Sequence, residues 1–365
     1  MRISANRLDR SFQLHQQEYE EAALRVLHSG YYVLGNEVSE FEKEFATYIG
    51  AKYCVGLASG LDALWIAFRL LGIGSGDEVI VQANAYIACV MGITMNNATP
   101  VFVEPDPYYV LDASKIEAAI THKTKAILVV HLYGQASDME TIMAIAKRHN
   151  LYVVEDCAQS HGAKHKGQMT GTFGHVGCFS FYPSKNLGAF GDGGAVTLND
   201  TELAEKFRVY RNYGSEKRYY NKIAGTNSRL DEIQAALLRI RLKHLNQMNI
   251  ERTKLCNRYL EEIKNINIEL PVIRTSCETV WHQFVVRVKK RENFMDYLNS
   301  KEIGSIIHYP IPPHLSEAYA YLGFKKGDFP ITENYANSVL SLPLYCGMRE
   351  VEQNYVIEII NKYTP

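Results

Sequence analysis

Two short stretches hold the most chemically suggestive side chains of this sequence. VVEDCAQSHGA (153–163) runs from an apolar strand pattern onto Asp156, then presents Gln159 and His161. GCFSFYPSKNLGAFGDGGAV (177–196) presents Ser180, Tyr182, Ser184 and Lys185 ahead of a glycine-rich run, with Lys185 following Asp156 by 29 positions. A carboxylate and an amine brought together suit a pyridine-ring cofactor that carries an aldehyde and a phosphate. The carboxylate would keep the ring nitrogen protonated, so that the ring withdraws electrons, and the lysine would form a Schiff base with the aldehyde. The phosphate would call for helix N-terminal amides and hydroxyls. Ser59-Gly60 offers such a place, with Ser59 a favourable N-cap and Gly60 allowing close approach.

These groups converge only if the elements carrying them are arranged suitably. Strand-like runs at 53–58, 78–82, 99–103, 126–131 and 151–156 alternate with helical patterns at 59–72, about 86–96, near 113–120 and 138–149. Continuously apolar strands separated by helices indicate an α/β architecture with a largely parallel sheet covered on both faces. Such sheets gather functional groups at the carboxyl ends of their strands, and Asp156 stands at one. A long helical pattern spans about 228–264. The remainder mixes strand-like TVWHQFVVRV (279–288) with helices at 291–301 and 348–362, and with Pro-marked loops at IPPHL (311–315) and LPL (342–344). The resulting expectation is a large domain over 1–240 and a smaller α/β domain over 241–365.

Asp156-x-x-Gln159, then Ser180-Phe181-Tyr182-Pro183-Ser184-Lys185-Asn186-Leu187 and Asp192-Gly193-Gly194, resemble the hallmark of the DegT/DnrJ/EryC1/StrS sugar aminotransferases. The resemblance covers nearly the whole chain, from SGYYVLGNEVSEFEKEF to the C-terminal PLY. It implies the pyridoxal-phosphate-dependent fold type I of the aspartate aminotransferases, with Lys185 as the Schiff-base residue and Asp156 at the pyridine nitrogen. Gln159 would sit against the ring or its hydroxyl, Tyr86 would stack on the ring, and Ser180 with Ser59-Gly60 would hold the phosphate. Asn227, in GTNSRLDEIQAA, would reach the phosphate of a second subunit, which implies a homodimer with shared sites. The substrates implied are a nucleotide-linked keto sugar and L-glutamate. His161, Tyr182, His308, Tyr309, Tyr32 and Arg218 are the candidates for holding the sugar. The QSH segment, Tyr182 and HYPIPPHL (308–315) resemble the branch that aminates C3 of dTDP-linked 3-keto-6-deoxyhexoses. Amination at C4 of a UDP- or dTDP-sugar is the alternative. Relatives with His at the lysine position act as dehydratases; this chain keeps Lys185.

Other classes find less support. Gly72-x-Gly74-x-Gly76 follows a helix and opens a strand, which is the wrong context for a dinucleotide fingerprint and reads as a turn. That weakens a sugar-nucleotide oxidoreductase. A non-catalytic regulatory member of the fold would be expected to lose Lys185 or to add a DNA-binding module. Lys+Arg (39) balances Asp+Glu (40), which argues against bulk nucleic-acid binding. No Walker A or H-E-x-x-H motif occurs, and the seven cysteines include no C-x-x-C pair, so no metal site is expected. The cysteines read as packing residues in a reducing cytosol. The N-terminal MRISANRLDRSF has no apolar core of a secretory signal, and no apolar run approaches a membrane span, so the expected compartment is the cytoplasm. The segment 208–225 interleaves Arg208, Arg211, Lys217, Arg218 and Lys222 with Tyr210, Tyr213, Tyr219 and Tyr220, a composition suited to gripping a diphosphate and stacking on a base.

Overall fold

Alternation of apolar strand and amphipathic helix builds a central seven-stranded sheet from β1 (Tyr53–Leu57), β2 (Glu78–Gln82), β3 (Thr99–Val103), β4 (Thr124–Val130), β5 (Tyr152–Asp156), β8 (Val176–Ser180) and β9 (Gly194–Leu198). The computed structural model describes all 365 residues. The strand order is β1-β9-β8-β5-β4-β2-β3, and β9 alone runs against its neighbours. The sheet is therefore mostly parallel, and its other six strands end on one side. Between β5 and β8, the short β6 (Lys164–His165) and β7 (Gln168–Met169) pair with each other, and β6 also pairs with β12 (Cys277–Glu278). A separate hairpin is formed by β10 (Ser215–Lys217) and β11 (Tyr220–Asn221).

Ahead of the sheet come α1 (Leu8–Gln13), α2 (Gln16–Ser29) and α3 (Asn36–Ile49), which the sequence pattern had not singled out. The helices α4 (Gly60–Leu70), α5 (Ile87–Thr94), α6 (Met139–His149) and α7 (Thr201–Tyr210) cover the sheet or connect its strands. Caps set several of their starts: Asp138 accepts from Thr141 N and Asp200 from Leu203 N. Where a helix was expected at 113–120 there are two single 3₁₀ turns, Ala113–Lys115 and Glu117–Ala119. Only Ile116 is buried in that stretch, so it lacks the apolar face that stabilises a longer helix.

One helix, α8 (Glu232–Glu262), is 31 residues long, roughly 46 Å at 1.5 Å per residue. Its first residue works outside its own helix. The buried Glu232 carboxylate accepts N–H bonds from Gly35, Glu37 and Val38, capping α3 with a negative charge at the positive end of its dipole. The N-terminal half of α8 packs Leu238 and Leu245 with Phe41, Phe45, Phe179 and Phe181, all buried. Truncating one of these phenylalanines to Ala would cost about 3–5 kcal/mol. The C-terminal half contributes Cys256 and Tyr259 to a second core with Phe284, Phe294, Leu340 and Val356. A boundary at 240/241 would cut a helix that both cores share. The last third continues with β13 (Phe284–Arg287), α9 (Arg291–Ser300), α10 (Pro330–Ser338), β14 (Val339–Leu342) and α11 (Glu350–Asn361), with β13 and β14 antiparallel. The chain's start is woven into this end: Ile3 bonds through its backbone to Glu302 and Gly304, and its side chain lies in the second core. No helix is long and apolar enough to cross a membrane.

Candidate active site

The carboxyl ends of the parallel strands open into a cavity of about 580 Å³. Asp156 closes β5 there and Ser180 closes β8, while Ser59 and Tyr86 follow β1 and β2. Lys185 lies on a turn after β8, held by its own N–H to Tyr182 O at 2.8 Å. The small-domain side contributes His282, Gln283, His308 and Tyr309.

Period-two alternation along β5 separates two neighbouring carboxylates. Glu155 is wired into the protein: it accepts from the N–H groups of Gly171, Phe173 and Gly174 and meets His131 Nε2 at 3.0 Å. Asp156 lines the cavity. Its Oδ1 accepts from Ala158 N at 3.0 Å and its Oδ2 from the Cys89 thiol at 3.0 Å. Burial pushes the Cys89 thiol well above its usual range, and Asp156 pushes it further, so the sulfur stays protonated and can donate. Burial lowers the Lys185 ammonium from its ordinary value, an effect that Asp156 and Cys89 oppose.

The start of α4 also lines the cavity. Ser59 Oγ takes the Asp62 N–H at 3.0 Å, so the first amides of the helix, Gly60 and Leu61, remain at the cavity with no intrahelical acceptor. A Cβ on Gly60 would stand 2.5 Å from Ser180 Cβ, so only glycine lets the helix start and the end of β8 meet. Two free amides, two serines and a helix N-terminus make an anion site. An acidic floor, a buried amine and an anion cradle in one cavity are the donor set that pyridoxal phosphate requires, and the residues present fit it. Tyr86 flanks the cavity, its ring 4.9 Å from that of Tyr309. Gln159 joins the two sides: Oε1 accepts from Tyr133 N, and Nε2 donates to Tyr309 Oη at 3.1 Å.

The structure therefore brings together Ser59, Gly60, Tyr86, Asp156, Gln159, Ser180, Tyr182, Lys185, His308 and Tyr309. It does not bring in four others. His161 was expected to face a substrate, but its ring is fully buried against Phe179 and Phe181 and neither nitrogen has a hydrogen-bond partner. Burial, with the nearby Lys185, lowers its pKa to about 3. The turn after Gln159 sends this side chain behind the cavity wall. Tyr32, Arg218 and Asn227 lie outside the cavity formed by a single chain. Tyr32 donates to Leu27 O, Arg218 rests over the Tyr219 ring, and Asn227 is exposed on a bridge to Asn212. Its neighbour Ser228 turns inward, accepting from Ala58 N and donating to Asp62 behind the start of α4. Within the basic tyrosine-rich segment, Arg211 is a scaffold residue, bonded to Glu42 and Gly56 O.

Sequence reasoning missed Cys89, which reads as an ordinary packing residue, and His282, which sits in a strand-like run with no motif around it. The GIGSGDE run is the turn expected, with Gly72 and Gly76 at positive φ between α4 and β2.

Residues 13–361 match the profile of the DegT/DnrJ/EryC1/StrS aminotransferase family. The chain is 53% identical over 350 residues to a dTDP-3-amino-3,6-dideoxy-alpha-D-galactopyranose transaminase of Aneurinibacillus thermoaerophilus, covering 96% of each. It is 47% identical over 348 residues to a dTDP-3-amino-3,4,6-trideoxy-alpha-D-glucose transaminase of Streptomyces venezuelae, covering 95% of this chain and 92% of that one. Among solved structures, S. venezuelae DesV in complex with a ketimine intermediate superposes with a TM-score of 0.97 at 45% identity, covering 99% of this chain and 98% of that one.

Proposed function

The chain belongs to the DegT/DnrJ/EryC1/StrS aminotransferase family, whose members depend on pyridoxal phosphate, and from that premise we propose that it aminates C3 of a dTDP-linked 3-keto-6-deoxyhexose. The observation that carries the reading is the agreement of two relatives, 53% and 47% identical, whose names both place the nitrogen at C3 of a dTDP-sugar. L-glutamate is the donor, the working unit is a homodimer, and the compartment is the cytoplasm.

Bound pyridoxal phosphate supplies an aldehyde that carries the amino group and a protonated ring that takes up electron density. This chain's own residues do the rest. Asp156, held by Ala158 N and the Cys89 thiol, would face the ring nitrogen and keep its proton in place. Lys185 is the residue that would hold the aldehyde. Its amine, when free, would move a proton at the reacting carbon, a role favoured by burial that lowers its affinity for the proton. The α4 amides with Ser59 and Ser180 would anchor the phosphate end, and Tyr86 beside Tyr309 would flank the ring.

Of the local features pointing to C3, His161 drops out, while Tyr182, His308 and Tyr309 stand at the cavity. Regiochemistry depends on which carbon these walls hold about 3–3.5 Å from the reacting nitrogen. Incubating the protein with 3-keto and 4-keto dTDP-sugars and glutamate, then locating the nitrogen by NMR, tests this. Amination of the 4-keto substrate alone would overturn C3.

Support for the dimer comes from the aromatic side chains left in water. Tyr31, Tyr219 and Tyr220 are 73%, 82% and 68% exposed, and Tyr32, Val33, Tyr213 and Ile223 are exposed as well. In the proposed dimer a second copy covers this surface, and Asn227, Arg218 and Tyr32 serve its partner's cavity. Light scattering at low concentration tests it: a fully active monomer is the contrary result.

A further inference from the structure

Three imidazoles, those of His161, His282 and His308, surround Lys185 closely enough for its charge to act on each, and burial keeps all three neutral. They differ in what their nitrogens are free to do. His161 is enclosed by phenylalanines behind the wall. His308 is saturated: Gln283 Nε2 donates to its Nε2 at 2.9 Å, and its Nδ1 meets Ser341 Oγ at 2.8 Å. His282 alone lines the cavity with one ring nitrogen uncommitted.

A chain of amides decides which nitrogen that is. Asn249 Nδ2 donates to His161 O at 2.9 Å, which turns Asn249 Oδ1 toward Asn186. Asn186 Nδ2 then donates to Asn249 Oδ1 and to Val280 O, both at 2.9 Å, which leaves Asn186 Oδ1 facing His282 Nδ1 at 3.1 Å. A carbonyl oxygen only accepts, so Nδ1 carries the proton and Nε2 is a bare lone pair. Asn186 directly follows Lys185. The same network thus anchors the lysine turn and sets the tautomer of a cavity residue.

We propose that His282 Nε2 accepts a hydrogen bond from a substrate hydroxyl on a carbon adjacent to the one that receives the amino group. The acceptor stands on the wall near Lys185, which must reach the reacting carbon, so the group meeting it belongs to a neighbouring carbon. An acceptor selects a donor, which a sugar ring supplies and the carboxylates of an amino-acid donor do not. This rests on the keto-sugar reading above.

Two variants separate contact from scaffold. His282→Asn keeps an amide donor where Nδ1 meets Asn186 and removes the cavity acceptor; His282→Gln places an amide oxygen near the position of Nε2. Each is assayed on the parent dTDP-3-keto sugar and on its 2-deoxy and 4-deoxy analogues. His282→Asn should lose about tenfold to a hundredfold in kcat/KM on the parent. The loss should vanish on one of the two analogues, and His282→Gln should recover part of it. Calorimetry of the amino-sugar product on cofactor-free protein should show the same weakening. ¹⁵N NMR of histidine-labelled, cofactor-free wild type should show His282 as the Nδ1–H tautomer. An equal loss on all three sugars, or an Nε2–H tautomer, overturns the proposal while wild-type turnover still supports the sugar reading. A wild-type protein inert on every sugar overturns that reading and the hydroxyl contact with it.

Discussion

The floor of the cavity and the exposed rim of the chain outside it are built on opposite terms. On the floor, Asp156, Gln159, Ser59 and Ser180 are each fixed by bonds from the same chain, and Gly60 permits an approach that no larger residue would. On the rim, the β10–β11 hairpin ties its basic and aromatic side chains mainly to one another, with Lys217 over Tyr220, Arg218 over Tyr219 and Lys222 paired with Glu216, while the Tyr31–Val33 stretch pairs through its backbone with the start of α8 and leaves its side chains exposed. A preorganised floor suits a cofactor common to every turnover. A rim whose side chains are left exposed suits a surface completed by another molecule. The chemistry of the floor and the recognition proposed for the rim thus fall to regions that differ in how far one chain completes them.

The strongest way to break this contrast is Lys185→Ala. Turnover should fall by at least about 10³-fold, and the near-visible absorption of lysine-bound cofactor should disappear, while circular dichroism stays native. Normal transamination by that variant would remove the floor's central assignment. Asp156→Asn comes next, with an expected loss of roughly 10²–10⁴-fold in kcat because a neutral amide no longer holds the ring proton. Near wild-type turnover would mean that another group does so.

The rim is tested by mixing two inactive proteins, Lys185→Ala and Asn227→Ala. If subunits exchange and Asn227 acts across the interface, random pairing leaves about a quarter of all sites intact, and activity should return to that level. No recovery, with hybrid dimers verified by native mass spectrometry, would place Asn227 in its own subunit's site or in neither.

The smallest effect concerns His161, which is neither floor nor rim. The fold holds His161 neutral down to about 3 and His308 down to about 4, whereas an unfolded chain protonates such groups near 6.5. Their neutral burial favours the fold fully above pH 6.5, and that advantage declines as pH falls toward 4. His161→Leu should therefore flatten the drop in melting temperature between pH 7 and pH 5. It also removes two unpartnered ring nitrogens, so stability at pH 7 should hold or rise by about 1 kcal/mol, with turnover within about threefold of wild type. A turnover loss of a hundredfold would return His161 to the substrate wall.

What could be read from the residues follows the same division. Asp156 and the Ser59-Gly60 turn were legible because each sits at a strand or helix end, where local pattern determines position, and Lys185 because its turn follows the strand-like 177–182 segment. His161 was misplaced because the turn at Ala158–Gln159 lies between it and β5, and turns redirect side chains without changing composition. His282 was invisible because its role is conferred by Asn186 and Asn249, which are 96 and 33 positions away. The three N-terminal helices lie ahead of the strand–helix alternation that reveals the sheet, although α3 has a well-formed apolar face at Val38, Phe41, Phe45 and Ile49. The expected 240/241 boundary failed to register that α8 continues unbroken, since its apolar residues serve two cores in succession.

The pairing of Ile3 with Glu302 and Gly304, and of Ala5 O with Leu344 N, has a consequence for how the chain is made. During synthesis the first residues leave the ribosome some three hundred positions before their partners exist. The second core closes only when Ile3 and the segment around residues 302–344 are both present, so its docking is a late, high-contact-order event. Until then Ile3 and the unfinished β13–β14 layer are exposed together, and a nascent chain stalled before residue 302 would be the aggregation-prone species that chaperones meet.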